Sequence, residues 1–368
     1  MPQSDTKALE AEKKFSELKN KEEFRRKHAK TKLFIILVGG TLALAVTYIF
    51  SLTMGIFPLT FAEALRGVCN IVFNWGPSDT NMGEKIIYYL RMPRSICAIC
   101  VGAGLAVAGA VMQALIKNPL VDPFITGVSS GASFGVVAIT LGGFASGVMA
   151  GFTIPIAAII GAIAAFSVTM FVAEMAGGKA MSYVLAGVII STGLSSAITL
   201  MIYFNVKDYH MIMRWMFGSF TDLSWNSACI IFLGTLIPMA IAFLFSKKLN
   251  VMLLGEEQAM YLGIDVRTLK RGLMVLVAVL AAFCVAYCGV IGFVGLIIPH
   301  LCRMLIGGDH RLLIPSSAVV GGFVLLVADI FCKTAAAPSE LPIGAVVAVL
   351  GVPFFLMLMV KEGKRYAM

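Results

Sequence analysis

Charge is what this chain has least of. Asp, Glu, Lys and Arg make up 13% of its 368 residues, about half of the roughly 25% usual in soluble domains. Hydrophobic residues reach 59%, so too little polar surface remains to cover a water-soluble fold. A soluble enzyme, a disordered chain and a single-span receptor are all excluded. Catalytic constellations are missing too. The four His (His28, His210, His300, His310) are scattered along the chain, with no His-Glu-x-x-His helix and no Gly-x-Ser-x-Gly turn. There is no Gly-x-x-x-x-Gly-Lys-Ser/Thr phosphate cradle either. The nearest approach, Gly177-Gly178-Lys179-Ala180, lacks the upstream glycine and the hydroxyl. Nucleotide hydrolysis is therefore not expected of this chain. No acid falls at the centre of an apolar run, which weighs against an ion-coupled secondary carrier, the alternative reading, because such carriers hold carboxylates inside the membrane. Of the eight Cys, seven lie in or beside apolar runs and only Cys69 sits in a long loop. Cys97-x-x-Cys100 has metal-pair spacing, but no second pair is near, and small packing residues are the preferred reading.

What is present is a succession of apolar runs. They are continuously apolar rather than alternating, which argues against a β-barrel. Ten are long enough to be read as spans: Leu33–Phe57, Ser95–Ile116, Phe124–Leu141, Phe152–Ala173, Tyr183–Phe204, Ser227–Phe245, Leu273–Cys288, Val290–Ile306, Leu312–Phe331 and Ile343–Val360. The expected fold is all-α, a polytopic membrane protein with ten transmembrane helices. The net charge of +9 is read as topology and not as a nucleic-acid footprint, since cationic loops stay on the cytoplasmic side. With the N-terminus inside, 22 of the 29 Lys and Arg fall inside. The outside seven are Arg66, Lys85, Arg91, Arg94, Lys207, Arg214 and Lys333. Dropping one span would spoil this bias, so both termini are expected in the cytoplasm.

Residues 1–32 form a basic cytoplasmic tail, 33–360 the span-bearing domain, and 361–368 a second short tail. In the first tail, Phe15, Leu18 and Phe24 fit one face of a membrane-surface helix; a solvated tail fits equally. Pro58–Arg94 reads as a long outer loop in which Thr60-Phe-Ala-Glu63 is a capping box, opening a short interfacial helix. Small residues repeat at i+4 (Gly102, Ala106, Ala110, Ala114; Gly127, Gly131, Gly135), which lets helix backbones approach closely. A pore wall is the alternative for Phe124–Leu141, with its Thr126, Ser129, Ser130 and Ser133. Asp329 is placed to pair with Lys333 at i+4. The inner loop Ser246–Arg271 holds a one-to-two-turn helix. Glu256 and Glu257 suit its start, Gly263 suits a left-handed stop, and a second start follows at Asp265. It reads as a connector or as a docking element for a cytoplasmic partner.

Several stretches together resemble the FecCD-type permeases, membrane subunits of binding-protein-dependent ABC importers for iron–siderophores, haem and vitamin B12. They are Arg91-Met-Pro-Arg94, Gly102 to Gln113, Asn118-Pro119-Leu-Val-Asp122-Pro123, Gly127-Val-Ser-Ser-Gly131, Leu185-Ala-Gly-Val, Trp215-Met-Phe-Gly-Ser219-Phe, Leu254-Gly-Glu256, Gly289 to His300, Gly308-Asp-His-Arg311, Ala328-Asp329 and Glu340-Leu-Pro342-Ile-Gly344. The resemblance covers about Leu33 to Val360. It implies a multi-pass subunit of the cell membrane that pairs with a second copy. Two cytoplasmic ATPases, an extracytoplasmic substrate-binding protein and the lipid bilayer are its other partners, with no nucleic acid, cofactor or metal. It further implies that the coupling helices fall at about 250–271, with Gly255, Glu256, Glu257, Ala259, Leu262 and Gly263 at the ATPase contact. Arg91, Arg94 and Lys333 match the outer docking cations, although snorkelling at the interface also suits the two arginines. Asn118, Pro119 and Leu120 resemble one segment of the cytoplasmic gate. Ala180, Met181 and Ser182 match the second segment less well. His300 and His310 read as inner-face polar residues, and His210, with Met211 and Met213, as vestibule packing.

Overall fold

The computed structural model describes residues 31–55, 57, 59–73, 76–78, 81–144, 150–204 and 209–366. The proposed tail helix around Phe15 to Phe24 lies outside them. Among the described residues the chain is all-helical, with no strand. Seven helices are long and apolar enough to cross a membrane: α1 (Thr31–Thr53), α3 (Met82–Ile116), α5 (Ala150–Met175), α6 (Ala180–Tyr203), α8 (Trp225–Leu244), α11 (Val266–Cys288) and α13 (His310–Thr334). Three more apolar helices are shorter or have a shorter apolar part: α4 (Val128–Leu141), α12 (Val294–Ile306) and α14 (Ile343–Tyr366). Short helices cap the two ends: α2 (Phe61–Phe73) and α7 (Tyr209–Met216) at one, α9 (Ser246–Met252) and α10 (Glu256–Tyr261) at the other.

α3 is the central helix. Its apolar window is 89% buried, against 0% for α1. It holds that place through small residues. A Cβ added at Gly109 would sit 1.8 Å from the Gly295 carbonyl oxygen of α12, and one at Gly102 would sit 2.3 Å from that of Gly321 in α13. Gly131 and Gly161 bring α4 and α5 together in the same way. With no hydrophobic force between helices in lipid, such contact supplies the packing. The i+4 rows of small residues are thus helix seams. Thr126, Ser133 and Thr140 are buried within the fold and Ser129 and Ser130 partly so, which favours the packing reading of that segment over the pore-wall alternative.

Three sequence expectations are corrected. Pro58–Arg94 is not a loop throughout, because α3 starts at Met82, thirteen residues before Ser95. Asn81 caps it by accepting from the Gly83 and Glu84 N–H groups. Pro93 is accommodated because Ile87–Arg91 forms a π-turn, in which the Met92 N–H bonds to the Ile87 carbonyl. The Tyr88 carbonyl accepts from Trp225 Nε1 at 2.9 Å. Second, Phe124–Leu141 is a 3-10 turn, Pro123–Thr126, followed by α4. Third, Val290–Ile306 is helical only from Val294. Residues 289–293 are irregular, with positive φ at Gly289 (70°) and Phe293 (66°).

That irregular stretch meets two others. Ser219 N–H donates to the Cys288 carbonyl at 2.9 Å, and Gly344 N–H donates to that of Phe217 at 3.0 Å. A Cβ at Gly344 would lie 2.4 Å from the Val290 carbonyl oxygen, and one at Gly289 would lie 1.9 Å from that of Trp215. Irregular backbone at membrane depth is tolerated where protein buries it. Three separate stretches, 215–219, 289–293 and 341–344, thereby form one junction.

Candidate functional sites at the two ends of the bundle

At one end of the bundle, α3 and α13 bring charges together. Arg91 is buried and donates to the Leu52 carbonyl at 2.6 Å and to that of Phe57. Arg94 grips Asp329 from two nitrogens (Nε 3.0 Å, Nη2 2.8 Å) and reaches Glu340 Oε1 at 2.7 Å. Lys333 is buried, donating to the Ser51 carbonyl at 2.7 Å and its Oγ at 2.9 Å. The expected i+4 pairing is therefore corrected, because the Asp329 carboxylate goes to Arg94. Arg91, Arg94 and Lys333 are likewise not a bare cationic surface. Each has partners in the fold, because a buried charge must be paired or hydrogen-bonded. They border a cleft of about 570 Å³ that also reaches Tyr89, Asp222 and Glu340. With Asp329, three carboxylates match three cations. Burial would raise the Glu340 carboxyl, but Arg94 and Thr221 more than offset that and hold it below the usual range. Half-exposed Glu340 is the outermost partner of Arg94.

At the opposite end, α10 is a helix of six residues between two glycines in positive φ, Gly255 (127°) and Gly263 (80°). The expected short helix and left-handed stop are both present. Glu256 and Glu257 occupy its first turn, Ala259 is fully buried, and Met260, Tyr261 and Leu262 project outward, Tyr261 at 91% exposure. Asp265 caps α11 by accepting from the Thr268 N–H at 3.1 Å and hydroxyl at 2.6 Å. These bonds hold its carboxyl below the ordinary range.

The two gate-like segments lie at this same end. Asn118 Oδ1 accepts from the Leu120 N–H at 2.9 Å after a left-handed Lys117; Pro119 lies between them, and Leu120 is exposed. Asp122 accepts from the Phe124 N–H at 2.8 Å, and desolvation pushes its carboxyl up to about 6. Ala180, Met181 and Ser182 form the first turn of α6, with Met181 exposed and Ser182 bonded to the Ala176 carbonyl. The 3-10 turn links the two segments, since its Ile125 carbonyl oxygen would lie 2.0 Å from a Cβ on Gly187 of α6. A further group at this end was not assembled by sequence reasoning: Glu174 accepts from Arg267, Arg271 and Tyr183. Its only local signal was Arg267 and Arg271 at i+4 on one face of α11.

A bundle of this kind, with a charged cleft at one end and an exposed short helix at the other, is a multi-pass membrane protein of the helical transporter class. Comparison narrows the class. The chain belongs to the FecCD transport family, whose sequence profile matches residues 25–361. It is 34% identical to the hemin transport system permease HmuU of Yersinia pestis, covering 83% of this chain and 93% of that one. It is 37% identical to the vitamin B12 import permease BtuC of Salmonella arizonae (78% and 87%). It is 34% identical to the iron(3+)-hydroxamate import permease FhuG of Bacillus subtilis (90% and 98%). Among solved structures, a metal-chelate type ABC transporter in an inward-facing conformation superposes with TM-score 0.77 at 32% identity, covering 89% of this chain and 99% of that one. The family is one of ABC transporter permease subunits, which are not themselves enzymes.

Proposed function

We propose that this chain is the membrane-spanning permease of a binding-protein-dependent ABC importer for an iron chelate, haem or a corrinoid. Ten spans would run through the cell membrane with both termini in the cytoplasm. Two copies would enclose the pathway, and two partner ATPases would drive it from inside. The observation that carries this reading is α10: a short helix, anchored by buried Ala259, that presents Met260, Tyr261 and Leu262 to solvent. An exposed apolar knob beside Glu256 and Glu257 fits a groove on a soluble partner. The ion-coupled alternative is not favoured, because the desolvated carboxylates among the described residues, Glu84, Asp329 and Asp122, lie toward the ends of the bundle and are each engaged in hydrogen bonds. The experiment is uptake of haem, a ferric hydroxamate and cyanocobalamin into liposomes holding the chain with its ATPase and binding protein. Accumulation of one of them, strictly dependent on ATP inside the transport complex, is expected. Uptake that survives ATP removal would sink the reading.

Topology has its own test. Cys69 and Cys229 are exposed and the other six cysteines are buried; Cys229 stands on α8, a helix long and apolar enough to cross the membrane, which leaves Cys69 as the thiol best placed for water. In a Cys229→Ser background, Cys69 on α2 is expected to react with a membrane-impermeant maleimide in intact cells (spheroplasts where an outer membrane is present). Labelling only after the inner membrane is permeabilised would reverse the orientation.

The outer cleft is assigned to the binding protein. The exchangeable contact there is the half-exposed Arg94–Glu340 pair, which an incoming carboxylate can replace while Asp329 keeps the other edge of the guanidinium. Glu340→Gln is accordingly expected to tighten binding-protein association by about two- to fivefold and to steepen its salt dependence. Titration in nanodiscs at two ionic strengths reads both quantities. Unchanged affinity and slope would leave the pair purely structural.

A further inference from the structure

The ion group around Glu174 joins three elements. Glu174 is the penultimate residue of α5, its side chain 19% exposed. Its carboxylate accepts from Arg271 Nε at 2.8 Å, from Arg271 Nη2, from Arg267 Nη2 at 3.1 Å and from the Tyr183 hydroxyl. Arg267 and Arg271 stand on the first two turns of α11, which begins just after Gly263 ends the α10 segment. Tyr183 is buried and follows directly on Ala180, Met181 and Ser182. A second strand of contacts runs in parallel. Lys270, buried between the two arginines, donates to Glu256 Oε1 of α10 at 3.3 Å and lies 5.7 Å from the Tyr183 ring centroid. One carboxylate thus holds the start of α11 on one side and the start of α6 on the other. Its multiple charge-assisted bonds fix direction as well as distance, so a displacement of α10 with the start of α11 must carry Tyr183 along or break them.

We propose that Glu174 is the positioning residue that transmits movement of α10 and the start of α11 to the gate-like first turn of α6. The inference rests on the reading of α10 as the ATPase contact. Glu174→Gln keeps the size of the side chain but removes the charge that both arginines hold. Tyr183→Phe removes a single hydrogen bond and leaves both arginine pairs in place.

The test uses the whole importer in liposomes and measures substrate accumulated per ATP hydrolysed, with the amount of ATPase retained on the membranes. Glu174→Gln is expected to lower the ratio about tenfold, and Tyr183→Phe about threefold, with ATPase retention unchanged. The double variant is expected to be no worse than Glu174→Gln alone, because both act through one contact. A ratio within about twofold of wild type for Tyr183→Phe, and for Glu174→Gln where it folds, would overturn the proposal and leave Glu174 a static brace. If Glu174→Gln does not reach the membrane, Tyr183→Phe decides alone. Absence of bound ATPase on the wild-type chain would instead refute the proposed function, and it shows before any variant is made.

Discussion

Uptake by an Ala259→Pro variant is expected to fall to background while the variant inserts and folds normally. Ala259 is the fourth residue of α10, and its N–H donates to the Gly255 carbonyl at 3.1 Å. Proline removes that donor and drives its ring against the preceding turn, costing about 3 kcal/mol in a helix interior. A six-residue helix has no length over which to recover this, since isolated helices shorter than roughly 12 residues are already marginal. The buried Ala259 side chain is also what seats α10 on the bundle, so Met260, Tyr261 and Leu262 lose their fixed presentation together. The membrane-embedded helices lie outside the damage. Membrane level and thermal stability should stay near wild type, while ATP hydrolysis by the partner no longer responds to loaded binding protein. Gly263→Val is expected to act in the same direction more mildly. An added Cβ there meets nothing within 4 Å, so the cost is confined to holding a β-branched residue in left-handed backbone, about 1–2 kcal/mol. Reconstituted uptake measured beside hydrolysis checks both variants. Near-normal uptake by Ala259→Pro would make α10 a passive connector.

Asp329→Ala is expected to destabilise the chain by about 3–5 kcal/mol, the usual cost of stripping the partner from a buried charge. Asp329 is 1% exposed and Arg94 13%, so the pair is largely shielded from water. Glu340 cannot take over the vacated edge, because it already holds Nη1 from the outer side. Replacing both members with apolar residues, Asp329→Ala with Arg94→Met, is expected to recover most of the loss, since it removes the orphaned charge. Six buried cysteines provide the readout: a thiol-reactive fluorescent dye reports their exposure as the detergent-solubilised protein is heated. Equal melting of Asp329→Ala and wild type would show that the pair holds nothing. For the same reason, reversing Arg94 to Glu is a poor probe of docking, because it would bury a like charge beside Asp329 before any partner arrived.

Periodicity and local signals made much of this legible from residues alone. The apolar runs located the helices. Thr60 and Glu63 form the reciprocal bonds of a capping box, with the Thr60 N–H donating to Glu63 at 2.8 Å and the Glu63 N–H to Thr60 Oγ1 at 3.3 Å. Gly263 stops α10 in the left-handed region it favours. What stayed hidden depends on long-range contact. Pro93 and its flanking arginines read as an outer loop, because the π-turn that absorbs the proline leaves no mark in composition. Asp329 had a plausible partner four residues away and took another 235 positions distant. Glu174 carries no local signal of its role, since its partners come from α6 and α11. The junction of residues 215–219, 289–293 and 341–344 was visible as three separate glycine-bearing stretches, but backbone meeting backbone carries no side-chain signal.

The π-turn in α3 also makes the outer part of the chain elastic in length. Such a turn holds one residue more than a regular helix requires, so the loss of one residue from Ile87–Arg91 would let α3 continue unbroken. The wide turn already takes up that extra residue, so the parts of the helix on either side would keep nearly the same phase. Below the turn, Arg94 and the seams at Gly102 and Gly109 would keep their settings. Above it, Glu84 would keep its bonds to Asn70 and Ser78, now at 3.0 and 2.9 Å, and α2 its seat. Insertions and deletions in the outer cap can therefore be absorbed at this joint, and the cap is free to drift in sequence and length while the membrane-embedded helices keep their register.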